Sequence, residues 1–162
     1  MARLADAKRR GDPRFEDFRL IDSPLYLIVR TAGRYAHELE NALNVSGIDL
    51  LSWRALMIVT ETSPSSVSEI AERSVTRLST MTRVVQRLEK KALVKLSKRR
   101  TDARVTDVQL TPLGKRRVER ERVTAGEIYR RAVRDLSAAE IALLNGLTRR
   151  IFANLSAALP QA

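Results

Sequence analysis

Apolar side chains recur at helical spacing soon after Ser23-Pro24, a pair typical of a helix start because a capping hydroxyl precedes a proline with a helical backbone angle. Successive apolar residues are then three or four positions apart, which places one stripe on a helix. The stripe consists of Leu25, Val29, Ala32, Ala36, Leu39 and Leu43. Gly47 closes this region, so the pattern predicts one long helix between Pro24 and Gly47.

Three shorter helical segments are predicted next, at about residues 50–60, 67–73 and 78–91. Ser66 and Glu69 have the spacing of a capping box and mark the start of the second of these segments. Residues 62–65, with a proline among them, are predicted to form a turn. The apolar residues of the segment 78–91 share one face and are expected to pack inward: Leu78, Met81, Val84, Val85 and Leu88.

Apolar and polar residues then alternate over 93–98 and 105–110, as they do in half-buried strands, with a polar tip at 99–104. Thr111-Pro112 opens a long helix to about residue 134. Ser137 to Glu140 is a second capping box, and it opens a last helix with an apolar stripe. That stripe consists of Ile141, Leu144, Leu147, Ile151 and Leu155.

This order predicts a mainly α protein with a small β-hairpin wing, a winged helix-turn-helix lobe joined to terminal helices. Residues 47–111 form the predicted winged lobe, and residues 21–46 with 112–162 form a helical dimerisation lobe. Residues 1–20 are charged and weakly periodic, and they predict a flexible arm. The alternative for the terminal helices is that their stripes pack only within one subunit.

The positive charge is concentrated in one stretch. The chain has a formal net charge of +11, and residues 73–122 contain sixteen Lys and Arg against five Asp and Glu. The remaining residues carry fourteen of each sign, so the whole excess lies in this stretch. A localised basic surface is the footprint of a phosphate-binding protein. The alternative is a basic surface kept for solubility.

Several function classes lack the residues that they need. The chain has no cysteine and one histidine, His37, which excludes thiolate chemistry and a multi-histidine metal site, and no cofactor is expected. Convincing nucleophile–base pairs, carboxylate pairs and glycine-rich phosphate loops are also missing, so an enzyme is not expected. Since no apolar run approaches the ~20 residues of a membrane span, and polar residues follow Lys8-Arg9-Arg10 where a signal peptide would be apolar, we expect a cytoplasmic protein.

The basic helix is the first candidate reading element. Its polar side chains can donate to base edges in the major groove and to phosphates, mainly from the N-terminal half of the helix. We predict near-base contacts for Arg77, Ser79, Thr80 and Arg83, and a phosphate contact for Arg87. Ser66, Ser68, Thr76 and Thr82 complete the predicted DNA-binding set on this side. The alternative is an ordinary solvated helix face.

The hairpin is the second candidate, because a two-stranded wing with arginines at its tip can reach the minor groove. Lys98, Arg99, Arg100 and Arg104 are its predicted DNA contacts. Asp102 would repel phosphate, so we predict that it pairs with a nearby arginine and orients the loop. The alternative is an incidental surface ion pair.

These residues resemble the MarR family of transcription regulators. Asp102-x-Arg104 followed by Leu110-Thr111-x-x-Gly114 is similar to the wing signature of that family, and the stretches 70–73 and 79–94 resemble its helix-turn-helix. The likeness extends to its second helix through 47–48 and 51–56, and it covers about residues 22–158.

The resemblance implies a homodimer that reads a pseudo-palindromic operator in double-stranded DNA, most simply as a repressor. It also implies a small aromatic or acidic effector bound between the dimer helices and the DNA-binding lobe. The residues suited to such a pocket, by ring or charge, are Tyr26, Arg30, Arg34, His37 and Trp53. Each of these is equally suited to the core or the surface.

Two positions depart from the family pattern. Ala92 stands where glycine often ends the recognition helix, so we expect that helix to end without a left-handed residue. Ser74-Val75-Thr76 is more polar than the usual turn. Alternatives to DNA reading are a winged-helix module for RNA or protein partners, and a basic helix on an acidic membrane, which lacks the aromatic apolar face it needs.

Overall fold

The computed structural model describes residues 8–157. It confirms a mainly α winged helix-turn-helix fold with a small antiparallel sheet. The helices are α1 Pro24–Asn44, α2 Leu50–Glu61, α3 Val67–Arg73, α4 Leu78–Lys90, α5 Pro112–Val133 and α6 Ala138–Ser156, and the strands are β1 Ser65–Ser66, β2 Val94–Lys98 and β3 Thr106–Leu110. A short 3₁₀ helix, Leu20–Asp22, precedes α1.

Local side-chain caps account for most helix starts. Both predicted capping boxes form: Ser66 with Glu69 at α3, and Ser137 with Glu140 at α6. The Asp49 side chain accepts from the Ser52 backbone N–H at the start of α2, a cap that the sequence analysis did not identify. The side chain of Ser23 does not cap α1, so of the predicted Ser-Pro pair only the proline, with its helical backbone angle, favours the start of this helix.

The sheet has one strand more than the predicted hairpin. Strands β2 and β3 form the predicted antiparallel hairpin, with Val94 opposite Leu110. Residues 65–66, predicted to be the end of a turn and a cap, also form β1, which pairs with β3 so that Ser66 lies opposite Asp107. A strand of two residues is too short to be identified from the periodicity of the sequence. It forms because β3 has a free edge with which it can pair.

The core of the winged lobe is built on α2 and the inner face of α4. Trp53 is 6% exposed and lies in this core with Leu56, Met81 and Leu88. The prediction that Leu78 packs inward is wrong, since its side chain is 54% exposed. Leu78 is the first residue of α4, where no neighbouring turn of helix exists to cover it.

Two non-glycine residues hold left-handed backbone angles on either side of α4. Val75 (φ 51°) follows α3 and Ala92 (φ 55°) follows α4, so the expectation that α4 ends without a left-handed residue is wrong. After α4, Ala92 N–H donates to Glu89 O (2.7 Å) and Leu93 N–H to Leu88 O (2.9 Å), the bond pair of a Schellman cap.

The turn between α3 and α4 repeats this geometry. Val75 N–H donates to Glu72 O (2.9 Å) and Thr76 N–H to Ala71 O (2.9 Å). The turn of the helix-turn-helix is therefore fixed by backbone bonds, and a branched side chain occupies a position that favours glycine.

We expect Val75→Gly to stabilise the fold by about 1 kcal/mol, because it relieves a left-handed branched residue whose side chain is 78% exposed and loses little packing. Val45 is the matched control, since it is 92% exposed but right-handed at φ −55°. Val45→Gly should therefore destabilise the protein. Urea unfolding followed by circular dichroism measures both changes, and equal shifts in the two variants would contradict the strain at Val75.

The chain divides into two compact units, the first ending at Ile128 and the second beginning at Tyr129. In the first unit, the predicted arm forms turns over residues 11–17, and Arg19 N–H donates to Arg10 O at 2.8 Å. The flexibility of the arm stays a prediction, and its residues 1–7 lie outside the described residues. In the second unit, α6 buries none of its residues.

Candidate nucleic-acid interface

The N-terminal half of α4 presents a polar, cationic face. Ser79, Thr80 and Arg83 are exposed on it, and Arg77 occupies the N-cap without capping the helix through its side chain. Arg77 and Arg83 have no ion-pair partner in the part of the chain that the structure describes. Thr76 precedes them and is half-buried. This face therefore keeps its donors available for a ligand outside the chain.

Three predicted hydroxyl contacts are engaged within the protein. Thr82 Oγ1 donates to Leu78 O at 2.8 Å, and Ser66 Oγ accepts from the Glu69 backbone N–H at 3.1 Å while Ser66 itself is buried. Ser68 is exposed, with its hydroxyl 3.0 Å from that of Ser66. Ser66 thus serves the start of α3, whereas Ser68 stays at the surface.

Arg87 joins α4 to the start of α2. Its guanidinium donates to Asp49 Oδ2 at 2.7 Å and to Ser52 Oγ at 3.2 Å. Burial raises the pKa of the Asp49 carboxyl, but the hydrogen bonds from Ser52 and the charge of Arg87 outweigh burial and hold that pKa below its usual value. Asp49 therefore stays ionised, caps α2 and fixes one end of α4.

Arg99 has a similar role in the wing. It donates to Asp107 Oδ1 from Nε (3.1 Å) and from the terminal nitrogen (2.7 Å), and it lies 3.9 Å from Glu69 Oε2. The hydrogen bonds with Asp107 raise the pKa of the Arg99 guanidinium. Hydrogen bonds from the backbone and the hydroxyl of Ser66 lower the pKa of the Glu69 carboxyl. Arg99 thus ties the tip end of the wing to the start of α3.

Asp107 is a further residue that the sequence analysis missed. It is 8% exposed, and it lies opposite Ser66 where β1 pairs with an edge of β3 that a two-stranded hairpin would have left open. In the sequence, Asp107 occupies a polar position of the alternating segment 105–110, next to the apolar Val108. The alternation places such a residue on the solvent side of a hairpin, so its acidic character was the only signal for it.

The tip of the wing carries the exposed charges. Lys98 and Arg100 are exposed, and the Arg104 side chain is 94% exposed. Asp102 Oδ1 accepts the Arg104 backbone N–H at 3.0 Å and lies 3.4 Å from Arg104 Nε. The carboxylate thus closes the tip, which is the arrangement expected of a loop-orienting residue.

The predicted effector residues are spread over one face of α1 and the core. Tyr26 is half-buried and Arg30 exposed, Arg34 pairs with Glu38 at 2.8 Å, and His37 Nε2 lies 3.1 Å from Asn41 Nδ2. Trp53 belongs to the hydrophobic core. Two cavities in the described chain are lined by other residues.

The described residues contain no group of three or more His, Asp or Glu placed to hold a metal ion. Among the same residues, no helix combines the length and the apolar character that crossing a membrane requires.

Comparison with known proteins connects this arrangement to one family. Residues 48–106 match the model of the MarR family. The HTH-type transcriptional repressor IacR of Pseudomonas putida is 35% identical over 155 residues, which cover 93% of each protein.

Solved structures of transcriptional regulators share the fold of this chain. A probable transcriptional regulator from Pseudomonas aeruginosa is 31% identical, with a TM-score of 0.69 over 82% of this chain and 99% of its own. BpsR of Bordetella bronchiseptica, whose DNA binding is regulated by 6-hydroxynicotinic acid, is 23% identical, with a TM-score of 0.68 over 79% of this chain and 91% of its own. The second likeness shows the fold alone. With a recognition helix, an arginine-tipped wing and a repressor relative along nearly its whole length, this chain belongs to the MarR family of transcription regulators.

Proposed function

We propose that this regulator is a repressor that binds a pseudo-palindromic operator in double-stranded DNA as a homodimer. The observation that carries the proposal is the exposure of cations on two adjoining parts of the winged lobe. Arg77 and Arg83, at the start of α4 and on it, are exposed, as are Lys98, Arg100 and Arg104 on the wing, whereas Arg87 and Arg99 are held by Asp49 and Asp107. Exposed cations of this kind neutralise phosphates and read bases.

The contacts divide between the two elements. Arg77, Ser79, Thr80 and Arg83 lie in the N-terminal half of the recognition helix, the part that meets base edges in the major groove. Arg100 and Arg104 enter the adjoining minor groove, with Lys98 on the backbone. Arg87 and Arg99 position these two elements through Asp49 and Asp107, and we assign them this role in place of DNA contact.

Dimerisation is supported by large apolar side chains that are exposed among residues 8–157. On α6, apolar side chains on neighbouring turns are largely exposed: Leu143, Leu144, Leu147, Phe152 and Leu155. On α1, Leu25 and Val29 are 48% and 71% exposed. A monomer in water rarely keeps so many large apolar side chains on two helices, and a two-fold dimer buries them against their own copies.

An effector of small aromatic or carboxylate character releases the DNA. The DNA binding of BpsR is regulated by such an acid. Four of the five residues predicted for this chain lie on α1 outside the core, and they offer the rings of Tyr26 and His37 and two guanidinium groups. The effector changes DNA affinity only if it binds better to one spacing of the two winged lobes in the dimer. A ligand that binds equally well at every spacing would not shift the equilibrium between them.

Selection of bound fragments from genomic DNA by the purified full chain tests this function. We expect a recovered site with two half-sites about 10 base pairs apart, bound by a dimer in analytical ultracentrifugation. Competition with duplex RNA distinguishes the RNA-binding alternative. A chain that is monomeric at micromolar concentration, or that prefers no fragment over bulk DNA at physiological salt, would overturn the proposal.

Removal of Arg104 tests whether the tip of the wing reaches DNA. We expect Arg104→Ala to weaken binding to operator and unrelated DNA alike, and to reduce the dependence of log K on log salt by about one phosphate, a slope change near 0.9. Arg54→Ala, which removes an exposed arginine of α2, is the matched control. Fluorescence anisotropy at several salt concentrations measures both, and unchanged binding by Arg104→Ala would remove the wing from the interface.

A further inference from the structure

One exposed polar side chain of α4 is missing from the predicted DNA-binding set. Gln86 lies one turn after Arg83, and its side chain is exposed. Since a helix turns by about 100° per residue, Gln86 falls on the same side of α4 as Arg83 and opposite the buried face of the helix. The exposed residues within about 60° of one another on that side form what we call the outer ridge: Ser79, Arg83, Gln86 and Lys90.

Both flanks of the outer ridge are tied to neighbouring parts of the protein. On one flank, Arg87 donates to Asp49 Oδ2 at 2.7 Å. On the other flank, Glu89 Oε1 accepts the Leu96 backbone N–H at 3.2 Å. The first contact reaches the start of α2 and the second reaches β2. Together they fix the rotation of α4 about its own axis, so the outer ridge faces away from the winged lobe.

The outer ridge itself is not engaged within the described chain. Among residues 8–157, none of its four side chains takes part in a hydrogen bond or an ion pair. The side-chain amide of Gln86 therefore keeps its NH₂ donors and its carbonyl acceptor for a molecule outside the chain. Arg87, also one turn after Arg83, is held by Asp49, which leaves Gln86 as the next available side chain along the helix.

The amide of Gln86 is complementary to one base of duplex DNA. In the major groove, adenine presents an acceptor at N7 and a donor at N6, and a glutamine amide can bind both. Guanine presents two acceptors there, which suit the guanidinium of Arg83. Residues three positions apart are separated by about 4.5 Å along a helix axis, which is close to the spacing of base pairs, about 3.4 Å. Arg83 and Gln86 are therefore spaced to contact neighbouring base pairs.

We propose that Gln86 is a second base-reading residue, which selects an adenine next to the guanine that Arg83 reads. The inference rests on the proposed function, because it requires α4 to lie in the major groove. It extends base reading into the C-terminal half of α4, and it places adjacent G·C and A·T base pairs in each half-site. Lys90, one further turn along the outer ridge, contacts a phosphate and carries no sequence information.

Operator fragments in which one adenine at a time is replaced by 7-deazaadenine test the contact, because this base lacks the N7 acceptor. We expect the wild-type chain to bind about tenfold more weakly when one particular adenine of a half-site is replaced, through the loss of one hydrogen bond. Gln86→Ala should bind the modified and unmodified fragments equally at that position. Fluorescence anisotropy measures these affinities. Gln109→Ala, which removes the same side chain from an exposed position on β3, should respond as the wild type does.

A second variant distinguishes base reading from a structural role. A carboxylate can accept a hydrogen bond from cytosine N4, so Gln86→Glu should prefer cytosine at the position where the wild type prefers adenine. Thermal unfolding should give the wild-type midpoint for both Gln86 variants, because this side chain is exposed. An unchanged adenine preference in Gln86→Ala, or a loss of affinity that is equal on every fragment, would overturn the assignment of Gln86 alone. A wild-type chain that selects no fragment over bulk DNA would overturn the proposed function and this assignment with it.

Discussion

Arg83→Ala is expected to weaken operator binding by about 1–3 kcal/mol, about 5- to 150-fold in Kd, and to relax sequence preference at one base position. Arg83 is exposed in the N-terminal half of α4 and has no ion-pair partner among residues 8–157. Its loss therefore leaves no unpaired acid in the protein, and the effect falls on the DNA contact itself.

Arg87→Ala is the informative comparison one helical turn later. Arg87 is paired with Asp49, so its removal should lower the unfolding midpoint and weaken binding to all DNA sequences similarly. Anisotropy titrations against a panel of operators with single base changes, beside thermal unfolding, separate the two outcomes. If Arg83→Ala loses affinity equally on every sequence, Arg83 contacts phosphate and reads no base.

Gly114→Ala is expected to destabilise the fold by about 3 kcal/mol or more, the upper range for overpacking in a packed site. A Cβ at Gly114 would lie 1.9 Å from Leu93 O and 2.9 Å from Leu93 C, which are backbone atoms that cannot rotate away. Leu93 O also accepts the Thr111 backbone N–H at 3.1 Å, so any displacement breaks the junction of wing and α5.

Gly126→Ala on the same helix provides the control. Nothing lies within 4 Å of the Cβ position there, so alanine should stabilise α5 by about 0.5–1 kcal/mol through its better helix propensity. Urea unfolding of both variants measures the difference. A Gly114→Ala protein as stable as wild type would show that α5 does not approach the backbone of Leu93 as closely as described.

The helices, the hairpin and their order were predictable from the sequence because their determinants are local. The capping boxes at Ser66 and Ser137 join residues three positions apart, and the apolar stripe of α4 repeats within each turn. The wing signature 102–114 lies in one continuous segment. Such features depend on residues that are close together in the sequence, and they also located the exposed cations at Arg83 and Arg104.

The sequence alone determined that this chain is a basic, helical protein with a winged reading lobe. Which cations remain available for DNA was decided only in three dimensions. Arg87 finds its acid 38 positions away, and Arg117 reaches Ser46 across 71. A charge count along the chain adds every arginine equally, whereas packing pairs some arginines with acids and leaves others exposed. The physical reason is that ion pairing depends on the distance between charges in the folded chain, which sequence separation does not measure.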